Sequence, residues 1–315
     1  MLFGKYTFTC RLDTDAELPA YKGSTFRGVF GRALKKVVCA LPRNDCGPCL
    51  LKNKCIYVQV FETPGADSPE GRAGNNSRPH PFVIEPPLAS DTRFSAGALL
   101  DFNLLLFGPA NDYLPYFIYA FQQMGIIGIG RKIAGRRGAF TLQQVAFNGR
   151  PIYALKDQQL RMPPEHDTLT LDMACPHPDA ESRLGITLET PLRLKFNNRL
   201  KADLPFHVLV RAMLRRVSTL MQHYDGGEPD LDYPGLVHRA ESVRIIRDET
   251  AWLDWRRYSF RQEQEMLMGG MTGSVMYEGK IGEFLPLIAF AEQVHLGKQT
   301  TFGLGRIKAD AHIAE

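Results

Sequence analysis

The sequence predicts an α+β protein with two tandem ferredoxin-like units, each with the element order βαββαβ. The first observation is that this order of predicted elements occurs twice along the 315 residues. The second is a pair of matching helical segments. Residues 26–37 read FRGVFGRALKKV and residues 206–217 read FHVLVRAMLRRV. Both carry Phe, Leu, two basic residues and Val at equal offsets, which indicates a duplication.

A third observation is that a Leu-Pro pair opens an apolar helix in each half, at Leu114 and at Leu285. Proline suits a first helical turn, where its missing N–H group is not needed. A glycine pair followed by arginine comes after each helix, as Gly128-Ile129-Gly130-Arg131 and as Gly303-Leu304-Gly305-Arg306. We therefore match these two glycine segments to each other.

The first predicted domain covers residues 1–180 and contains a cysteine-rich insertion at 39–55. Alternating apolar residues, a helical apolar period with Ser24 or Thr25 as the cap, and a Gly/Pro-rich loop at 63–81 define its elements. We predict strands at 6–12, 56–61, 98–107 and 139–147, and helices at 24–38 and 114–124.

The second predicted domain covers residues 181–315 and contains a glycine-rich loop at 297–305. The 206–223 segment has apolar residues at helical spacing, and an acidic Gly/Pro loop follows at 225–234. We predict strands at 184–200, 242–259, 272–277 and 306–310, and helices at 206–223 and 283–294.

The net charge of +4 and a pI near 8.7 permit a polyanionic partner without requiring one. No apolar run reaches the length of a membrane span, and the N-terminus lacks the features of a secretory signal. The six cysteines are clustered rather than spread like a disulfide framework. These features favour a cytoplasmic protein.

The glycine-rich segments are the first candidate binding site. Glycines let a backbone approach phosphates closely and expose its N–H groups. The alternative is a hairpin with tight turns and no ligand. The residues that we assign to RNA binding are Lys298, Phe302, Gly303, Gly305 and Arg306 in the second half, and Arg131, Lys132, Arg136 and Arg137 in the first.

A second candidate is a row of cations on the strand predicted at 184–200. Alternation places Arg193, Lys195, Arg199 and Lys201 on one face. Such a row can follow a phosphate backbone, and the alternative is a solvated sheet face. The segment 252–258 interleaves tryptophan with arginine, and these rings either stack on bases or lie in the core.

Four cysteines, Cys39, Cys46, Cys49 and Cys55, lie within one short segment. Four thiolates can close a tetrahedral structural zinc site or hold an iron–sulfur cluster. The Cys46–Cys49 pair has the spacing of a redox dithiol, but that chemistry requires a helix N-terminus after a strand. We favour zinc over the cluster, and a thiol redox or metal-sensor protein is the competing class.

Several runs resemble a known family: Gly23-Ser24-Thr25-x-Arg27-Gly28-x-Phe30-Gly31, Trp252-x-Asp254-Trp255-x-Arg257, Gly273-Ser274-Val275-x-Tyr277 and His295-x-Gly297-Lys298-x-Thr300-Thr301-Phe302-Gly303-Leu304-Gly305-Arg306. They are similar to the CRISPR-associated endoribonucleases of the RAMP superfamily, which process precursor CRISPR RNA. The four cysteines are similar to one branch of it. The resemblance implies prokaryotic origin, a RAMP-type fold and repeat RNA as the partner, with CRISPR effector subunits as further partners.

The resemblance also implies metal-independent cleavage, in which the 2′-hydroxyl attacks the adjacent phosphate and leaves a 2′,3′-cyclic phosphate. Many family members place a catalytic histidine near the first helix, but here no histidine precedes His80. We expect His295, Tyr21 and Lys22 to be catalytic, with Arg27 and Arg32 binding RNA. The alternatives are a site built on Lys and Arg alone, or a non-catalytic RAMP subunit that binds guide RNA.

Overall fold

The computed structural model describes residues 1–41, 45–63, 78–162, 167–178, 181–194, 203–259 and 264–313. The chain forms two compact units, Met1–Thr168 (unit 1) and Leu169–Glu315 (unit 2). Among the described residues, no helix has the length and apolar character needed to span a membrane.

Unit 1 has the predicted βαββαβ order with additional short strands. Its helices are α1 (Gly23–Val38) and α2 (Leu114–Ile127). Its strands are β1 (Phe3–Leu12), β2 (Ala16–Glu17), β3 (Phe82–Glu85), β4 (Arg93–Phe94), β5 (Leu99–Phe107), β6 (Ile129–Ile133), β7 (Arg136–Gly138), β8 (Phe140–Phe147) and β9 (Arg150–Ala154). The main antiparallel sheet has the order β3-β5-β1-β8-β9. The first four strands of that order give the ferredoxin-like arrangement.

Aromatic rings fill the space between this sheet and its two helices. Alternate residues of β1 point inward, so Phe8 is fully buried. Its ring centroid lies 5.1 Å from that of Phe102 on β5 and 4.7 Å from that of Phe121 on α2. Phe30 on α1 stacks on Phe121 at 4.4 Å. Burial of these large rings supplies much of the driving force that holds the helices on the sheet.

Unit 2 repeats the arrangement. Its helices are α3 (Phe206–Tyr224), α4 (Tyr233–Ala240) and α5 (Leu285–Val294), and its strands are β10 (Glu181–Leu192), β11 (Arg244–Asp248), β12 (Ala251–Ser259), β13 (Gln264–Lys280) and β14 (Ile307–Ile313). The sheet order is β11-β13-β10-β14, and β12 pairs with the N-terminal half of the long β13. The prediction of two tandem ferredoxin-like domains of the RAMP type is therefore confirmed.

The strand predicted at 56–61 is wrong, because this segment forms a helical turn that includes Val58–Glu62. Tyr57 and Phe61 are four residues apart, so they share a helical face, and their rings stack at 5.3 Å. The second strand of the unit is instead β3. All four of its residues are buried, so it lacks the alternation that would have revealed it.

Several boundaries also differ from the predictions, and the strand predicted at 242–259 is two strands, β11 and β12. Helix α1 begins at Gly23 with Lys22 as its N-cap, and it has no side-chain cap hydrogen bond. The predicted loop at 225–234 is followed by α4, whose N-cap Asp232 accepts a 2.9 Å hydrogen bond from the Gly235 amide. Strand β10 ends at Leu192, and residues 195–202 lie outside the described part of the chain.

The segment after the second helix is fixed in the same way in both units. Gly130 and Gly297 have the same φ of 78°. A Cβ atom at Gly130 would overlap the Glu17 carbonyl oxygen, and one at Gly297 would lie 2.5 Å from that of Arg193. A leucine methyl group, from Leu18 or Leu194, would lie 2.9 Å away in each case. The chain just after the first strand therefore requires glycine at both positions.

Replacing Gly130 with alanine should destabilise the protein by about 3 kcal/mol. The left-handed backbone costs an L-residue about 1–2 kcal/mol, and overpacking adds about 1–3 kcal/mol. Gly135→Ala is the matched control, because Gly135 has φ of 83° but no atom within 4 Å of its Cβ position. Chemical denaturation should show a loss of only about 1–2 kcal/mol for the control. Equal losses for the two variants would contradict the close-approach argument.

Candidate nucleic-acid interface

The structure aligns the two glycine segments differently from the alignment that the sequence analysis predicted. Gly128 and His295 are the C-caps of α2 and α5, with φ/ψ of 81°/156° and 58°/144°. From these caps to the first residues of β8 and β14, at Phe140 and Ile307, the segments have equal length. Gly128-Ile129-Gly130-Arg131 therefore corresponds to His295-Leu296-Gly297-Lys298, and not to 303–306.

A threonine at the end of the first strand holds each segment, and sequence reasoning missed both. The Thr14 hydroxyl accepts a 2.9 Å hydrogen bond from the Ala139 amide, and the Thr190 hydroxyl accepts one of 2.8 Å from Arg306. The Thr190 hydroxyl also donates to the Gly303 carbonyl at 2.8 Å. The only signal in the sequence is that each threonine lies three residues before the residue that contacts the glycine, Glu17 or Arg193.

In unit 2 most of the glycine segment lies inside the protein. His295 has no exposed surface, and its Nδ1 lies 3.0 Å from the Leu304 carbonyl oxygen. Phe302 is buried, as are Gly303 and Gly305, so the Phe302 ring that was expected to stack on a base faces the interior. Backbone strain is stored at His295, because its φ/ψ lies in a region that favours glycine.

The two basic residues of this segment have different surroundings. Lys298 is exposed, and its amide donates to the Arg193 carbonyl at 2.9 Å. Arg306 forms an ion pair with Glu189 at 2.6 Å, and both side chains are about one quarter exposed. Part of the Arg306 charge is thus neutralised within unit 2.

A buried arginine, Arg216, covers the end of α5. Its Nε and Nη2 donate to the Val294 carbonyl oxygen at 3.1 and 2.8 Å. Burial lowers the pKa of Arg216 to about 10. A cation at a helix C-terminus is favoured by the helix dipole, so this residue fixes the residue just before His295.

In unit 1 the corresponding segment is a hairpin on the surface. Residues 131–136 are exposed, and Arg137 is half-buried and donates to the Gly130 carbonyl. Arg131 forms a 3.2 Å ion pair with Glu17. The pKa of Arg32 on α1 is lowered by burial and by the charge of Arg137. The structure therefore brings the predicted residues Arg32, Arg131, Lys132, Arg136 and Arg137 into one neighbourhood.

The residues before α1 are only partly accessible. Lys22 has no exposed surface, and its Nζ donates to the carbonyl oxygens of Ala20 (3.2 Å) and Ala89 (2.5 Å). Burial lowers the pKa of Lys22, while Asp91 raises it. Tyr21 is half-buried, and desolvation raises its pKa above the usual range. The Arg27 guanidinium lies 5.1 Å from the Phe61 ring centroid.

The cysteines follow α1 but do not form a recognisable metal site. The Cys39 thiol donates to the Leu41 carbonyl at 2.8 Å, and the Cys49 amide donates to the Cys46 carbonyl at 3.4 Å. Within the described ranges, no group of three or more His, Cys, Asp or Glu side chains is placed to hold a metal ion. A structural zinc or an iron–sulfur cluster at these cysteines therefore stays a prediction from their spacing.

The predicted row of cations is largely outside the described residues, which exclude Lys195, Arg199 and Lys201. Arg193 follows β10, and its Nη1 donates to the Gly269 carbonyl at 3.3 Å. Trp252 and Trp255 lie on β12, and both are half-buried. The Trp252 indole donates to Asp254 at 2.8 Å.

Comparison with protein families gives two matches. A family model described as an N-terminal domain, AF_1859_N, matches residues 1–165, and one described as CRISPR-associated endoribonuclease Cas6 matches residues 186–307. An Archaeoglobus fulgidus protein described as uncharacterized is 24% identical over 294 residues, which are 91% of each chain.

Solved structures share the fold at low sequence identity. A Cas6 product complex has a TM-score of 0.57 and 13% identity, covering 98% of this chain and 100% of the other. Thermus thermophilus Cas6 has a TM-score of 0.54 and 12% identity, covering 98% of each chain. A partial Cas6-RT-Cas1–Cas2 complex has a TM-score of 0.60 and 12% identity, with all of this chain matching 47% of the other. The chain belongs to the family of the AF_1859_N domain, which it matches over residues 1–165, and its residues 186–307 match the family of CRISPR-associated endoribonucleases described as Cas6.

Proposed function

We propose that this protein is a metal-independent endoribonuclease that cleaves precursor CRISPR RNA within its repeats. The observation that carries the proposal is the match of the Cas6 endoribonuclease family model to residues 186–307. These residues form most of the second ferredoxin-like unit, including the glycine segment. The two glycine segments, each fixed against the end of a first strand, support the same proposal.

The proposed reaction needs a base, an acid and a cation. The base takes the proton of the 2′-hydroxyl, which attacks the adjacent phosphate. The acid protonates the departing 5′-oxygen, so the products carry a 2′,3′-cyclic phosphate and a 5′-hydroxyl. A positioned cation stabilises the charge that develops on the phosphate oxygens. Lys298, which is exposed beside a glycine at positive φ, suits that last role.

Of the three residues proposed as catalytic, Tyr21 is the one with accessible surface. Its raised pKa keeps the phenol protonated, so it acts as a hydrogen-bond donor or an acid rather than a base. His295 and Lys22 are buried and interact with carbonyl groups. Direct contact of either side chain with RNA therefore requires a local opening of the structure.

The same burial favours a second candidate function. A RAMP subunit that binds guide RNA without cutting needs basic surfaces but no exposed acid–base pair. Such a subunit would have other CRISPR proteins as partners, as in the Cas6-RT-Cas1–Cas2 complex that shares the fold. Product formation separates the two candidates, because both predict RNA binding.

We expect the purified protein to cut a synthetic CRISPR repeat RNA at one position in the presence of excess EDTA. The 2′-hydroxyl is the nucleophile, so a single 2′-deoxy substitution at the cut position should abolish cleavage while binding persists. Denaturing electrophoresis and mass spectrometry of the 3′ end would measure both effects. The control is the same deoxy substitution one nucleotide away, which should leave the rate unchanged.

Binding to the repeat RNA with no product at long times would contradict the endoribonuclease proposal and support the non-catalytic subunit. Cleavage that proceeds on the deoxy substrate would contradict the proposed nucleophile. A product set that disappears with EDTA would contradict metal independence.

A pair of substitutions at His295 separates the ring from the backbone. His295→Ala removes the ring and keeps the strained backbone, whereas His295→Gly also relieves the strain, as Gly128 does in unit 1. We expect His295→Gly to be more stable than His295→Ala by about 1 kcal/mol. Because the proposal assigns the ring to the reaction, both variants should cut the repeat RNA more slowly in single-turnover assays, with binding retained.

Denaturation curves should accompany the rates, so that only folded protein is compared. Recovery of the wild-type rate in His295→Gly alone would assign His295 a purely structural role. An unchanged rate in both variants would remove it from the reaction altogether.

A further inference from the structure

Equivalent segments of the two units have opposite exposures. In unit 2, residues 300–305 are buried, and Thr300–Phe302 forms a short helical turn that faces the interior. In unit 1, β6 and β7 form a hairpin, which we name the basic arm (129–138), and residues 131–136 of it are exposed. The duplication therefore produced one inward segment and one that extends into solvent.

The arm has a defined shape. Ile133 pairs with Arg136 across a two-residue turn in which Ala134 and Gly135 both have positive φ, at 48° and 83°. Two consecutive positive φ values are typical of the tight turns that join antiparallel strands. The base of the arm is fixed because Gly130 packs against Glu17.

The charge of the arm is strongly positive and poorly balanced. Its four cations fall within seven residues, 131–137, without an acidic residue among them. Arg131 pairs with Glu17. The exposed side chains of Lys132 and Arg136 form no ion pair within the described part of the chain. Arg32 on α1 adds a further cation close to the arm, because burial and the charge of Arg137 lower the pKa of Arg32.

We propose that the basic arm is a second RNA-binding site, which holds the phosphate backbone of the RNA and contributes affinity rather than chemistry. The inference rests on the proposed function only in taking RNA as the ligand. A narrow two-stranded ribbon with cations on both strands can neutralise phosphates of a sugar-phosphate chain. An acidic protein surface is a poorer match, because the arm exposes a single large apolar side chain, Ile133, for packing.

The test is the salt dependence of RNA binding by the full-length protein. Each phosphate that a cation neutralises contributes about 0.7 to the slope of log K against log salt for single strands. A double variant of the two arm cations without an ion pair, K132Q/R136Q, should therefore lower that slope by about 1.4 and weaken binding about tenfold at 0.15 M salt. Fluorescence anisotropy with the repeat RNA and with single-stranded oligo(U) would measure it.

The matched control is R244Q/R247Q, which removes the same charge from exposed arginines of unit 2. These arginines pair with Glu278 or Glu249, so they are not expected to contact phosphates. The control should keep the wild-type slope. Thermal unfolding of each variant would show that it is folded.

If the arm variant keeps the wild-type slope of log K against log salt, the proposal is overturned. An equal decrease of that slope in the control variant would also overturn it. Displacement of the RNA by polyaspartate of equal charge would also overturn it in favour of an acidic protein ligand. The two proposals can fail separately. If the wild-type protein does not cut RNA but the arm variant still shows a weaker salt dependence of RNA binding, the endoribonuclease proposal fails and the arm proposal stands.

Discussion

The close approach of two backbone segments determines the geometry of each unit. The chain leaving the first strand, at Glu17 or Arg193, lies against the glycine that follows the second helix, at Gly130 or Gly297. Because no side chain fits there, the end of the helix and the start of the last strand have a fixed position relative to the first strand. The threonines that bond to Ala139 and Arg306 maintain the same arrangement farther along. This contact therefore fixes the position of the candidate binding residues in both glycine segments.

The two units share this backbone contact but differ in whether the residues of the glycine segment are buried. Thr300, Thr301 and Phe302 in unit 2 are buried, the Thr300 carbonyl accepts a hydrogen bond from the Gly303 amide, and the phenyl ring adds apolar area. The corresponding positions in unit 1 include Ile133, Ala134 and Gly135, which are flanked by charged residues that cannot be desolvated cheaply. The segment of unit 1 therefore stays outside. Of the two glycine segments, the one in unit 1 exposes more positive charge, whereas Arg306 of unit 2 is paired with a carboxylate.

The fold could be predicted because it depends on local patterns, whereas burial at the site depends on distant contacts. The alternation of apolar and polar residues in β1 and the helical spacing of apolar residues in α3 can be recognised in the sequence. Strand β3 is buried on both faces and carries no such period. The glycine segments were matched wrongly because a histidine occupies the C-cap where unit 1 has Gly128. The neighbouring sequence does not indicate that His295 will contact the Leu304 carbonyl or that Lys22 will contact the Ala89 carbonyl. It also does not indicate that Phe302 will lie in the core.

The end of α5 illustrates how these contacts limit what His295 can do. Arg216 holds the Val294 carbonyl with two hydrogen bonds, and Leu304 holds the His295 ring, so the strained residue is fixed from both sides. A residue fixed in this way cannot swing outward without breaking buried hydrogen bonds, which cost about 1–3 kcal/mol each when left unmade. Its backbone leads directly through Gly297 to the exposed Lys298. Direct use of the His295 ring in the proposed reaction therefore requires a minor, opened state of this segment.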